Sequence, residues 1–338
     1  MKQIALILVF ISALLFGSCS NQKEIFTDEQ KLYVLPDNYE GQGEPGLVYV
    51  PHAGGEFVSV INPSGMKLMG KINAGKGPCA ILILKDGSKG YIANYISNDV
   101  TIYDPKTNKK IATVQTYEHP TALLELPGQN KVVVTHQTNE GGICVINTLD
   151  NSVTKLNEVC SGFMRYVKTA DKIYMPQIFD PFIKVIDANT LHIIKQIETG
   201  GWPMSMAISS DEKFGYLANY DSAEVAKIDL TTDEIVLKIK NIPSPRWVEF
   251  SPDNSMIMVS NVKDNSVMVI DPKTDAVTKT IFGIPMPTDI IFTDGGYYAL
   301  VCSQGSAAIF VIDVKTLEIK ERIKVASNPI TLFQDNRK

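Results

Sequence analysis

The chain has 338 residues, 44% of them hydrophobic and 20% charged, which is enough for a large core of ordinary globular character. Its 32 basic and 37 acidic residues give a net charge of −5. No long run of either sign occurs, and this argues against a nucleic-acid partner, which needs a basic footprint.

The first 18 residues read as a targeting segment. Lys2 supplies a positive start, and Ile4 to Phe16 is almost wholly apolar. That is the length of a signal-peptide core and too short to span a bilayer. Gly17 and Ser18 ahead of Cys19 resemble a bacterial lipobox, with Phe16 departing from the usual leucine. The resemblance implies lipidation of Cys19; an ordinary secretory signal with a chance cysteine is the alternative. Several acyl chains make a stable anchor where one chain binds only marginally. Ser20 follows Cys19 where an inner-membrane retention signal would place Asp, which points to the outer membrane. Removing residues 1–18 loses only Lys2, so 31 basic residues face 37 acidic ones and the mature net charge is −6. Residues 19–45 form the lipidated cysteine and a polar tether. Gly41, Gly43 and Gly46 spell a dinucleotide fingerprint, but no strand–turn–helix surrounds them, so a linker turn is the reading.

From residue 46 the chain repeats itself. The stretch GYIANYISNDVTIYDPKTNKKIATV from Gly90 reads as three short strands bounded by Asn, Asp and Pro. It returns as GYLANYDSAEVAKIDLTTDEIVLKI from Gly215 and again from Met256. A proline precedes each unit at Pro78, Pro120, Pro203, Pro245, Pro287 and Pro329, and Gly162 fills the one missing slot. A second landmark ends the YIAN-type strand: His52, Asn94, His136, Gln177, Asn219, Asn261 and Ser303, in steps of 41 or 42 residues. A third opens the following turn: Asn62, Asp104, Asn147, Asp187, Asp229, Asp271 and Asp313. Seven units of four strand-length segments predict an all-β, seven-bladed β-propeller over residues 46–333, with a tail over 334–338. NPITLF (Asn328–Phe333) is an innermost strand without partners, and Leu47–Ile72 holds three partners without an innermost strand. Pairing these N- and C-terminal strands in one blade closes the ring and hides the sheet edges.

The YIAN strand, the VTIYD strand, the threonine-bearing turn and the ATV strand together resemble the YVTN-type propeller repeat. The likeness covers about residues 46–333 and implies the fold while saying little of function. Anchored propellers in Bacteroidota capture cofactors such as cobalamin for uptake, and the resemblance permits that role.

Loops entering the innermost strand and loops leaving the second strand share one face, here called the top. The polar strand-end ring is expected chiefly to hydrogen-bond loop backbone. Residues that break the repeat carry more information. Trp202, Arg165, Arg246, Trp247 and Asp289 stand near innermost-strand starts, and His136 ends a strand where other blades have Asn. Aromatic and arginine side chains are the usual anchors of binding surfaces. The expected ligand-binding set is therefore Trp202, Trp247, Arg165, Arg246 and His136, suited to a planar or anionic ligand. Core packing is the competing reading for both tryptophans. No metal or cofactor is predicted, because histidine and cysteine spacings lack a ligand set and Cys-x-x-Cys-His is absent. Cys79, Cys144, Cys160 and Cys302 allow three connectivities or free buried thiols.

The sequence thus predicts an anchored extracytoplasmic propeller acting as a non-catalytic binding module. Its partner is a small molecule or an envelope protein, with the membrane touched through the lipid alone. The rival is a periplasmic enzyme of lactone-hydrolase or redox-subunit type. No Gly-x-Ser-x-Gly elbow is present to support hydrolysis.

Overall fold

Five of the six repeat prolines open an innermost strand, where the lack of an N–H leaves no ladder donor wanting, and Pro329 forms an isolated bridge. In the computed structural model, which describes residues 46–138, 142–158, 161–178 and 180–335, Pro78 lies opposite Asn94, Pro120 opposite His136 and Pro203 opposite Asn219. Pro245 likewise faces Asn261, and Pro287 faces Ser303. The proline landmark and the strand-end landmark are therefore cross-strand partners. Gly162 stands in the one slot without proline. Its φ is +149°, and a Cβ there would lie 1.9 Å from the Pro176 carbonyl oxygen, so only glycine fits.

The strands form seven four-stranded antiparallel sheets. Blades two to seven follow chain order, and their inner strands are Pro78–Ile83, Pro120–Leu126, Arg165–Val167, Pro203–Ile208, Pro245–Phe250 and Pro287–Phe292. Blade one is closed by both ends of the propeller. Phe333–Gln334 pairs with Val48–Pro51, with Tyr49 opposite Phe333 and Val48 opposite Gln334, and His52 bridges Pro329. The predicted closure is what the structure shows, with the strand running one residue past 333.

Seven apolar clusters follow, one per blade interface. Between blades five and six, for example, Tyr216, Ala218 and Val225 meet Val248, Phe250 and Val259. Burial on both faces explains why the middle strands are continuously apolar instead of alternating. The outermost strands are exposed, as in Lys110–Gln115 and Glu318–Lys324.

The third landmark is an Asx turn. Asp104 accepts from the Lys106 N–H at 2.8 Å, and Asp187 from the Thr190 N–H at 2.7 Å. Four residues beyond each landmark the backbone turns left-handed, at Met66, Asn108, Asn151, Leu191, Asp233, Asp275 and Leu317. Among the described residues no helix is long and apolar enough to cross a membrane. Cys19 and the tether up to residue 45 lie outside the described residues, as does Cys160. Cys79, Cys144 and Cys302 are free and buried.

Candidate functional site

The strand-end ring is structural at most positions. All seven of its members are buried. Asn94 accepts from the Gly75 N–H at 3.0 Å and Gln177 from the Ser161 N–H at 3.1 Å, each tying down the loop into its own blade. Histidine also bonds loop backbone in two blades, His52 in the loop entering its blade and His136 in the loop leaving its own strand. His52 Nδ1 donates to the Ser327 carbonyl at 3.1 Å, which leaves Nε2 to accept from the Ser59 hydroxyl at 2.8 Å. His136 Nδ1 donates to the Gly142 carbonyl at 2.8 Å, and Tyr117 packs edge-on against the ring. Burial lowers both imidazoles to a pKa of about 4, so they are neutral at physiological pH. Among the described residues His136 Nε2 has no partner. His119 lies in the next loop, stacked on Tyr95 with centroids 4.3 Å apart.

The inner strands build a second site along the axis. Arg165 lies opposite Tyr174, Ala207 opposite Tyr216 and Glu249 opposite Met258. Those three partners each stand three residues before the strand-end ring, so Arg165, Ala207 and Glu249 occupy one level of the ring of inner strands. The other members of that level are Leu82, Leu124 and Ile291, opposite Tyr91, Val133 and Leu300, with Phe333 of blade one. Arg165 belongs to blade four and Glu249 to blade six. An Nη2–Oε2 bond of 3.2 Å between them must pass in front of blade five, where Ala207 leaves room. Each side chain keeps 28% of its surface exposed, so the pair is half-buried among the inner strands.

Trp247 completes the cluster. Its indole Nε1 donates to the same Glu249 oxygen at 3.3 Å, and the Arg165 guanidinium lies 5.2 Å from its ring centroid. Phe163 meets the indole edge-on at 5.0 Å. Trp247 is only 7% exposed, so it packs as core while its polar edge faces the axis. Arg165 also donates to the Met164 carbonyl at 3.3 Å, which engages two of its five N–H groups. Glu249 Oε1 takes no protein donor among the described residues.

Asp289 stands two residues past its repeat proline, where blade five has Ser205. Both link neighbouring inner strands: Ser205 Oγ accepts from the Val248 N–H at 3.0 Å, and Asp289 Oδ2 from the Leu332 N–H at 2.8 Å. Asp289 is 2% exposed, and its Oδ1 has no partner among the described residues. Burial, reinforced by the negative charge of Glu249, raises its carboxyl to about 8. Burial also raises Glu249, against the pull of Arg165. Arg246 is 5% exposed and lowered to about 10 by burial, with Cys302, Tyr220 and Asp289 as its electrostatic neighbours.

Of the five residues singled out in the sequence, then, the structure brings Arg165 and Trp247 together. Arg246 is beside Trp247 in the chain but buried. His136 sits under Tyr117. Trp202 opens blade five half-buried, its N–H on the Asp221 carboxylate at 2.5 Å. Glu249 and Phe163 were not singled out, and Asp289 was noted without being placed in the site. A column comparison reveals Glu249, because it is a carboxylate at a level filled elsewhere by Leu82, Leu124, Ala207, Ile291 and Phe333.

Among the described residues no group of three or more His, Cys, Asp or Glu side chains is arranged to hold a metal ion. A broad open depression of about 830 Å3 lies between blades one and two, lined by Glu56, Lys76, Ile96, Asp99 and Thr101 among others. Its lining is mixed, and Asp99 is engaged by the Asn94 amide at 2.6 Å.

No protein-family model matches the chain, and no curated protein matches it in sequence. Solved structures do match in fold. The dihydro-haem d1 dehydrogenase NirN, in complex with DHE, superposes with a TM-score of 0.71 at 13% identity, covering 95% of this chain and 84% of that one. A protein from Bacteroides fragilis named as a 6-phosphogluconolactonase gives a TM-score of 0.71 at 17% identity, covering 87% and 99%. The periplasmic gluconolactonase of Pseudomonas aeruginosa gives 0.71 at 16%, covering 85% and 98%. At these identities the likeness is one of fold.

Proposed function

We propose that the protein is a lipid-anchored, extracytoplasmic propeller that binds a small molecule in its axial channel without transforming it. The observation that carries this reading is the Arg165–Glu249 pair, polar and part-exposed across an otherwise apolar level, with three guanidinium N–H groups and one carboxylate oxygen that have no hydrogen-bond partner among the described residues. A pair serving stability alone gains little from standing in water-accessible space. Convergent polar groups with an aromatic wall are what a small-ligand site provides. Two measurements test the reading. Native mass spectrometry of protein taken from its own envelope should reveal a co-purifying small molecule. A panel of anionic, cationic and neutral compounds should contain at least one class that alters tryptophan fluorescence, and Arg165→Gln should abolish the response. Silence across all three classes defeats the axial site. For the anchor, Cys19→Ala should move the protein from the membrane to the soluble fraction.

A hydrolytic reading is favoured by one feature, a buried carboxyl at Asp289 held neutral near physiological pH beside a second carboxylate. The lactonase names of two structural neighbours fit it. Turnover of sugar lactones by the purified protein, lost in Asp289→Asn, would establish that activity in place of simple binding.

A further inference from the structure

Apart from the axial pair, we propose a second binding site in the depression between blades one and two, which takes the ammonium group of a small primary amine. Its anchors are the Asp99 carboxylate and the Ala74 carbonyl. The site stands or falls independently of the axial one.

The repeat supplies the comparison. In blade five the strand-end Asn219 faces Glu224, and Ala226, two residues on, faces Lys238 of the outermost strand. The Lys238 ammonium donates to Glu224 Oε1 at 2.8 Å and to the Thr199 carbonyl at 3.1 Å. Blade three has the same ammonium position, with Lys155 opposite Cys144 and its Nζ on the Thr116 carbonyl at 2.7 Å. In blade two the strand-end Asn94 faces Asp99, and Thr101 faces Thr113. Thr113 thus stands where blades three and five have lysine. The Ala74 N–H bonds the Glu56 carbonyl at 2.8 Å, as the Thr199 N–H bonds that of Pro181 at 2.8 Å, so the Ala74 carbonyl corresponds to that of Thr199. Blade two keeps the carboxylate and the carbonyl and lacks the ammonium. Blades four and six also lack the lysine, with Gln196 and Thr280, but their residues in the place of Asp99 are Phe182 and Ser266, which carry no charge.

The anchors are fixed and open to the depression. Asp99 is 7% exposed, and the Asn94 amide holds its Oδ1 at 2.6 Å. Its Oδ2 takes no donor among the described residues, is not sealed from solvent, and belongs to a side chain lining the depression of about 830 Å3. Ala74 lines the same depression, and its carbonyl takes no donor among the described residues. An ammonium has three N–H groups, two for these oxygens and one for the Thr113 hydroxyl at the rim. Bonds from a charged donor to a carboxylate are the strong ones. The charged groups around the depression are Asp99, Glu56, Lys76 and Lys110. The two lysines are exposed and oppose a second ammonium, which favours a monoamine over a polyamine. Ile96, 55% exposed at the same place, receives the alkyl body. A divalent cation wants more carboxylate than Asp99 alone provides.

Calorimetric titration of the full chain with butylamine at constant ionic strength tests the site. Butylamine should bind saturably, one molecule per chain. Butyltrimethylammonium keeps the charge without an N–H and should bind at least about tenfold more weakly. Asp99→Asn should abolish binding. Thr113→Lys should supply the ammonium from within the chain, abolishing binding and raising the melting temperature. Lys238→Thr should open the corresponding place in blade five and bring the count to two. The proposal is overturned by the absence of saturable butylamine binding, by equal binding of butyltrimethylammonium, or by binding that survives Asp99→Asn or Thr113→Lys. A count that stays at one in folded Lys238→Thr breaks the correspondence between the blades and overturns it as well. A lysine-bearing peptide that binds where butylamine does not would give the depression to a protein partner in place of a small amine. If Lys238→Thr or Asp99→Asn fails to fold, Thr113→Lys, a change at the exposed rim, decides alone.

Discussion

Arg165 and Glu249 meet at 3.2 Å although a whole blade separates their strands, and the intervening strand offers only Ala207 at their level. The pair is therefore a brace between non-neighbouring blades. It also shares its acceptor oxygen with Trp247, so three residues from two blades form one unit. In such a unit, removing one member leaves the others imperfectly paired.

A double-mutant cycle measures that coupling. Arg165→Met and Glu249→Gln should each destabilise the protein by about 1–2 kcal/mol, because the side chains are mostly but not wholly withdrawn from water. The double mutant should cost less than the sum, with a coupling of about 1 kcal/mol. Denaturant unfolding monitored at the tryptophans provides the readout. Additive costs would mean that the pair is incidental to stability.

Asp289 sets a second expectation. Its folded-state pKa is about 8, well above that of an unfolded Asp, so the folded state holds more protons between about 4 and about 8. This contribution to stability is complete below about pH 4 and is lost as pH rises towards 8. His52 and His136 work the other way. Their folded values of about 4 lie below an unfolded value of about 6.5, so their contribution is lost as pH falls through that window. The wild type should therefore become less stable from about pH 6.5 to about pH 8. Asp289→Asn should flatten that slope while leaving the acid-side loss intact. A slope unchanged in Asp289→Asn would place the titrating group elsewhere.

The repeat made the fold legible because three landmarks recur for separate physical reasons. A proline lies where no donor is needed, a polar strand end ties a loop, and an Asx side chain caps a turn. The candidate site was legible only in part. Arg246 sits in the register shift between Pro245 and Trp247 and is buried, a placement that a regular reading of the strand does not foresee. Trp247 was weighed as either anchor or core. The structure buries its ring and turns its N–H to Glu249, so neither description alone fits. Glu249 lies mid-strand, away from the strand-end landmarks of the repeat, and an inner strand presents its middle to the axis.

The turns predict a lock between blades. Asp233 of blade five accepts from the Tyr174 hydroxyl and from Lys172 Nζ at 2.7 Å, both of blade four. Asp275 of blade six repeats this with Tyr216 and Lys227, the latter at 2.8 Å, both of blade five. At the corresponding place in blade three stands Asn151. It takes Lys89 Nζ at 2.7 Å, and the buried Tyr91 hydroxyl has no partner among the described residues. Tyr174→Phe should cost about 1–2 kcal/mol, since Asp233 loses a donor inside the interface. Asn151→Asp should gain about 0.5–1 kcal/mol by pairing with Lys89 and giving Tyr91 an acceptor. Thermal unfolding of the two variants checks both signs. A destabilised Asn151→Asp would mean that Tyr91 is not in reach.

Ring closure is the last test, and it concerns the whole molecule. Residues 328–335 supply blade one with its inner strand, and they supply blade seven with the Leu332 N–H that Asp289 holds. They also carry Thr331, whose hydroxyl donates to the Cys79 carbonyl of blade two at 2.8 Å. Deleting them removes a shared wall of three blades and exposes Val48, Val50 and Ile61, which Leu332 now helps to cover. The open edge offers unpaired backbone groups to other chains. The truncated protein should aggregate, or unfold at a temperature lower by ten degrees or more on the order of several kcal/mol lost. A milder change isolates the hydrogen bond from the deletion. Thr331→Val keeps the shape and removes only the donor to Cys79, so it should cost about 1–2 kcal/mol with the ring still closed. Light scattering and thermal unfolding on both variants separate the two effects. A monomeric truncation with unchanged melting would show that the ring is held shut by the other blades alone.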